Sequence, residues 1–333
     1  MVGAGVCGLA CAQVLSAAGL EPLVLESARG VGGRCATRRL AGQPVDFGVA
    51  FLHGQDPGFL AALRVVPATV LEGWPSEIHG TGRPCQPDAF AAGERRLAYA
   101  EGVTAFPKHM ARGLTVRLGA QVVSLELTGG ALALRLDDGG LIEAGKVVLA
   151  LAPEQALDLL STLPEPPPEV RSANAVLDMT RSHACLTVMA TYPDDAPRPT
   201  WQVSYPETSA VIQMVSHDSS KRPAGSSLAL VVQAHATWSR LHLDDPAWPE
   251  ALLREAASLH GAWAARPAAV ESHRWRFARG NRDSELAAPL WLRLPGGARL
   301  GVAGDRFAPG GGVEATWLSG RRLAERILQE TRA

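Results

Sequence analysis

Three stretches of this chain carry residue types at spacings that could do chemistry. The first is GAGVCG, in which Gly3, Gly5 and Gly8 keep a G-x-G-x-x-G spacing. Such glycines allow a tight turn, close approach of backbone to a pyrophosphate, and a helix packed hard on a strand. Glu26 follows 21 residues beyond Gly5, at the end of the apolar run LVLE. A carboxylate there accepts hydrogen bonds from both ribose hydroxyls of an adenosine and repels a 2′-phosphate, which favours FAD or NAD over NADP. The second stretch is Gly30 to Gly33 followed directly by Arg34, in GVGGRCATRR. A guanidinium at that point can fork onto pyrophosphate oxygens. The third is GDRFAPGGGVEATW, where Gly304-Asp305 precedes Gly310 to Gly312 and then Val313. An acid there can bind a ribityl hydroxyl, and a helix starting at Val313 aims its N–H groups at whatever lies ahead of it.

These residues need elements to hold them. LACAQVLSAAG reads as a helix ended by Gly19, EPLVLES as a buried parallel strand, Leu300 to Ala303 as a strand, and about Val313 to Leu328 as a helix. Only Met1 and Val2 precede Gly3, whereas the strand that feeds such a loop needs about five residues. The expectation is that the natural chain begins further upstream. Residues 114 to 152 alternate as a β-meander, with turns at Gly129-Gly130 and Asp138-Gly139-Gly140. HACLTVMATY, SAVIQMVSH and SLALVVQAHATW read as strands of a mostly antiparallel sheet, followed by a helix around 247 to 264. His53, in DFGVAFLHG, could bind or orient a substrate, and Trp275, in SHRWRFARG, could wall a cavity.

Composition sets limits. The 333 residues suggest two domains, interleaved or sequential. A formal net charge of -1 without any Lys/Arg cluster argues against nucleic acid and membrane surfaces as partners. The lysines are only Lys108, Lys146 and Lys221, arginine supplying the rest of the 32 basic residues, as high-GC codon usage would produce. Five scattered cysteines (Cys7, Cys11, Cys35, Cys85 and Cys185) form no C-x-x-C pair, so no disulfide framework or metal site is expected and a cytoplasmic location fits. No apolar run reaches bilayer length.

Together GAGVCG, LVLES, GVGGRCATRR, VDFG, GAQVVSLELTGGALALRLDDGGLIEAGKVVLALAP, HRWRFARG and GDRFAPGGGVEATWLSG resemble the FAD-dependent amine oxidase superfamily, and within it the renalase-like NAD(P)/FAD-dependent oxidoreductases. The resemblance implies an α/β fold. Its Rossmann-like, glutathione-reductase-like FAD-binding domain would comprise residues 1–51, 101–164 and 286–333, and an interleaved α+β substrate domain 52–100 and 165–285. It implies noncovalent FAD held by Gly3, Gly5, Gly8, Glu26, Gly33, Arg34, Gly304, Asp305, Gly312 and Val313, with Val122 presenting its backbone to adenine. The activity it implies is hydride transfer from a small molecule to flavin N5, a misreduced dihydronicotinamide in the renalase-like case, with oxygen as acceptor. The alternatives are an amine or desaturating oxidase and a flavin-binding protein without turnover. Two departures bear on the choice. Amine oxidases of the superfamily often carry a lysine on the strand that corresponds to HACLTVMATY, and this strand has none; Ala50 stands where relatives usually have glutamine.

Overall fold

The computed structural model describes residues 1–80, 89–180, 182–280 and 284–332. Cys85 lies outside them. The chain forms two compact units, one of residues 1–33, 106–182 and 280–333, the other of 34–105 and 183–279.

The first unit is built on a parallel sheet. Leu23–Glu26 pairs in parallel with Thr115–Leu118, and Lys146–Leu149 pairs in parallel with Arg299–Val302, which Leu290–Arg293 joins antiparallel at the edge. Between these halves lies Val2, bridged in parallel to both Leu25 and Leu149. Two residues thus fill the central strand position. The Met1 amine donates to Leu23 O at 2.9 Å, and burial lowers its pKa to about 6.

Two helices cover one side of this sheet. Val6–Ala17 and the C-terminal Gly312–Arg332 share an apolar cluster of Cys7, Cys11, Leu15, Leu323, Ala324 and Ile327. They touch closely because Gly320 has no side chain: a Cβ there would lie 2.2 Å from Cys7 O. A second cluster joins Val2, Leu25, Leu149, Leu300 and Val302 to the helices Pro153–Leu160 and Pro168–Asp178.

The meander is shorter than its alternation suggested. Val122–Thr128, Ala131–Leu136 and Leu141–Ala144 pair antiparallel in sequence, but residues 115–118 and 146–149 belong to the parallel sheet. Short buried strands and meander strands carry the same β-branched residues, so composition does not separate them.

The second unit holds a six-stranded sheet in the order Ala269–Gly280, Ser182–Thr191, Ala229–Ala234, Ile212–His217, Val203–Ser204, Ile78–His79. Its described pairings are antiparallel except that Val203–Ser204 runs parallel to Ile78–His79. The helix Trp248–His260 packs Trp248, Leu252 and Ala256 against it.

The units differ from the boundaries read from sequence chiefly in two places, with shifts of a few residues at 101–105 and near 280 as well. Leu40 and Val45 pack with Met189 and Val231, which puts residues 34–51 in the second unit. Val170 and Leu177 pack in the core of the first, which takes residues 165–182 there.

Candidate functional site: a dinucleotide cradle

In the first unit the opening glycines sit at the carboxyl ends of the parallel strands, where open α/β sheets bind ligands. Gly3 takes φ +100°, and a Cβ on it would lie 2.5 Å from Ala150 O. A Cβ on Gly8 would lie 2.0 Å from Gly3 O, so the helix can approach the turn only with glycine there. Gly5 differs: nothing lies within 4 Å of where its Cβ would be. It is the N-cap of Val6–Ala17, and no side chain caps that helix start. A helix start that no side chain caps is the kind of end that binds anions.

Glu26 is fixed beside this turn. Its Oε2 accepts from Ala4 N at 2.8 Å and its Oε1 from Ala28 N at 2.8 Å. A carboxylate has about four lone-pair sites, so both oxygens keep acceptor capacity for a diol. The backbone of Glu26 accepts from Ala120 N at 2.9 Å, which sets the start of the strand Val122–Thr128 nearby. The second glycine stretch closes on the first: Gly32 N donates to Ala4 O at 2.9 Å, and a Cβ on Gly33 would touch Gly5 Cα at 3.5 Å.

The third stretch reaches the same sheet end. Gly304 follows the strand Arg299–Val302 and lies against Leu151 O, one residue from the Ala150 carbonyl that confronts Gly3. Its N–H donates to Ser319 Oγ at 3.1 Å, tying it to the C-terminal helix. Asp305 is 7% exposed. Gly310, Gly311 and Gly312 all have positive φ and turn the chain into that helix, which starts at Gly312, one residue before the position read from sequence. The structure therefore brings Gly3, Gly5, Gly8, Glu26, Gly33, Val122, Gly304, Asp305, Gly312 and Val313 to one unit.

Arg34, His53 and Trp275 belong to the second unit. Arg34 follows Gly33 directly, and its Nη1 donates to Ala278 O at 3.3 Å. Trp275 stacks on Phe47, centroids 5.2 Å apart, and its Nε1 donates to Phe47 O at 3.1 Å. His53 sits in the strand Leu52–Gly54 with Nδ1 2.5 Å from Glu94 Oε1. The Glu94 side chain is only 6% exposed and that of His53 19%.

Sequence reasoning missed a buried ionic quartet. Lys221 contacts Asp46 Oδ2 at 2.5 Å and Asp218 Oδ1 at 2.6 Å, and Arg222 Nη2 contacts the same two acids at 3.1 and 2.7 Å. All four side chains are at most 1% exposed. A signal was present: HDSSKRP places three charges between two wholly buried strands, Asp218 at i,i+3 from Lys221 and i,i+4 from Arg222. Burial pushes the thiols of Cys11 and Cys35 up to about 12 and raises that of Cys185 as well. Among the described residues no group of His, Cys, Asp and Glu could hold a metal, and no helix is long and apolar enough to cross a membrane.

Residues 68–328 match the family described as flavin-containing amine oxidoreductase, and residues 1–64 match an NAD(P)-binding Rossmann-like domain. The chain belongs to the flavin-containing amine oxidoreductases. Polyamine oxidase 4 of Oryza sativa subsp. japonica is 46% identical over 54 residues, which are 16% of this chain and 11% of that protein. The putative flavin-containing monoamine oxidase AofH of Mycobacterium tuberculosis is 46% identical over 61 residues, 18% of this chain and 13% of AofH. The matched stretch is thus a small part of either relative. Among solved structures, a double mutant from a redesign of cofactor binding in putrescine oxidase superposes with TM-score 0.74 at 16% identity, covering 98% of each chain. A putative protoporphyrinogen oxidase from Exiguobacterium sp. 255-15 gives 0.73 at 14% identity, covering 99% of this chain and 98% of that one. The shared architecture is that of FAD-dependent oxidoreductases, and the match implies FAD, held noncovalently, as this chain's cofactor. The open Gly5, the uncapped helix start and the oriented Glu26 carboxylate fit its diphosphate and ribose.

Proposed function

We propose that this chain is an FAD-dependent oxidase that removes a hydride from a carbon next to nitrogen in a small-molecule amine. The observation that carries the reading is the convergence, within one unit, of the opening glycines, Glu26 and the Gly304–Val313 stretch on the carboxyl end of one parallel sheet. When bound, FAD supplies an acceptor for two electrons and a proton at N5. Glu26 takes the ribose hydroxyls, with Val122 offering its backbone to adenine. The helix behind Gly3, Gly5 and Gly8 takes the pyrophosphate, together with Gly33 and Arg34. Gly304 and Asp305 take the ribityl chain. The helix start at Gly312 and Val313 directs N–H groups to the pyrimidine ring and favours negative charge there.

His53 and Trp275 serve the substrate. With Nδ1 engaged by Glu94, His53 uses its other ring nitrogen to take a proton from a substrate ammonium, since only the neutral amine gives up a hydride readily. Trp275, held on Phe47, supplies a flat apolar wall. Oxygen is the acceptor that completes the cycle, and a cytoplasmic location suits Cys7, Cys11, Cys35 and Cys185, which form no disulfide among the described residues.

A second reading, renalase-like oxidation of misreduced dihydronicotinamides, draws on the strand Ser182–Thr191, which carries no lysine. Lys221 does not replace it, because its three protons go to Asp46, Asp218 and Ala50 O. An anaerobic titration of the yellow holoenzyme separates the two. Bleaching by putrescine or other amines supports the amine reading, bleaching by dihydronicotinamide isomers alone supports the second, and a flavin that no donor bleaches refutes both.

A further inference from the structure

We propose that Lys221 and Gln233 are positioning residues for FAD, acting on Arg34 through the backbone of residues 47–50. That segment is irregular, yet its carbonyls are held by side chains from three separate elements. Phe47 O accepts from Trp275 Nε1 at 3.1 Å, Gly48 O from Gln233 Nε2 at 2.7 Å, and Ala50 O from Lys221 Nζ at 2.9 Å. Surface loops usually leave such carbonyls to water. The segment in turn fixes Arg34: Val49 N donates to Arg34 O at 3.0 Å, and a Cβ on Gly48 would lie 2.1 Å from the same oxygen. Lys221 is immobile for a simple reason. An ammonium has three protons, and the two not given to Ala50 go to Asp46 and Asp218, with no part of the side chain exposed. Gln233 projects from the wholly buried strand Ala229–Ala234. Two buried side chains thus set the height of the backbone against which Arg34 stands.

The inference rests on the proposed role of Arg34 at the pyrophosphate. It is tested by diluting holoenzyme and following free-flavin fluorescence, which gives the FAD Kd without turnover. The variants are Arg34→Met, Gln233→Leu and Lys221→Met. The control is Ser239→Ala, which breaks a buried bond to Leu186 N in the same unit but touches none of these residues. The expected result is a rise in Kd of about tenfold or more for the first three, from lost hydrogen-bond support, and a wild-type Kd for the control at comparable loss of Tm. Where Lys221→Met does not fold, Gln233→Leu, which leaves every charge in place, decides alone. A wild-type Kd for Gln233→Leu, an equal rise for Ser239→Ala, or no effect of Arg34→Met overturns the proposal. None of these results bears on which donor bleaches the flavin, so the functional reading stands or falls separately.

Discussion

Replacing Asp46 by asparagine tests how the second unit is held. Asp46 accepts from Lys221 at 2.5 Å, Arg222 at 3.1 Å, Thr37 Oγ1 at 2.6 Å and Val103 N at 2.9 Å, so four chain segments meet at one carboxylate. Asparagine keeps the shape but leaves two buried cations facing Asp218 alone. Breaking a buried ion pair from one side costs about 3–5 kcal/mol, and at roughly 2–4 °C per kcal/mol the unit's Tm should fall by roughly 6–20 °C. Burial by itself would raise the pKa of Asp46, but Lys221 and Arg222, with hydrogen bonds from Lys221 and Thr37, bring it below the ordinary carboxylate value. A folded pKa below the unfolded one gives stability that is present above about pH 3.9 and is lost as pH falls through the folded value. The wild-type and variant Tm curves should therefore lie parallel at neutral pH and converge in strong acid. Differential scanning calorimetry across pH reads both effects. A variant within about 1 kcal/mol of wild type, or a gap that widens on acidification, would refute the reasoning.

Other outcomes follow from the same geometry. Glu26→Leu should weaken FAD binding roughly 10- to 150-fold, the equivalent of about 1.5–3 kcal/mol for bonds to a charged group, as read by flavin fluorescence. Gly8→Ala sets a methyl against Gly3 O and should yield protein with little FAD per chain, measured by absorbance after denaturation. His53→Gln should slow anaerobic flavin reduction by an amine roughly 10²- to 10⁴-fold while leaving FAD affinity unchanged in stopped-flow and binding assays. Burial lowers the pKa of His217 despite its contact with Trp201 O, and its Nε2 has no hydrogen-bond partner among the described residues. Stability should therefore fall as pH drops below about 6.5, and His217→Phe should flatten that slope in pH-dependent urea melts.

The glycine turns and the strand that ends in Glu26 were legible because glycine spacing and a strand-end acid are local signals. Gly3, Gly8 and Glu26 can be read from the chain without knowing its neighbours, and Gly304, Asp305 and Gly312 follow the same logic. Long-range pairings were not legible. Nothing in SHACLTVMATY or SLALVVQAHATW tells which strand lies beside it, and the parallel strands at 115–118 and 146–149 look like ends of a meander until Leu23–Glu26 and Arg299–Val302 are seen beside them. The quartet of Asp46, Asp218, Lys221 and Arg222 was hidden for a related reason. Asp46 lies 175 residues from Lys221, and charges in a loop ordinarily mean solvent. Glu94 escaped in the same way, because only the fold places it beside His53.

The most direct test is a crystal structure of the yellow holoenzyme. The account predicts a single FAD with its ribose hydroxyls on Glu26, its pyrophosphate at the start of Val6–Ala17, and its isoalloxazine ahead of Gly312–Arg332. Density for the nucleotide away from Glu26 and the Gly3–Gly8 turn, or Asp305 turned from the ribityl chain, would contradict it.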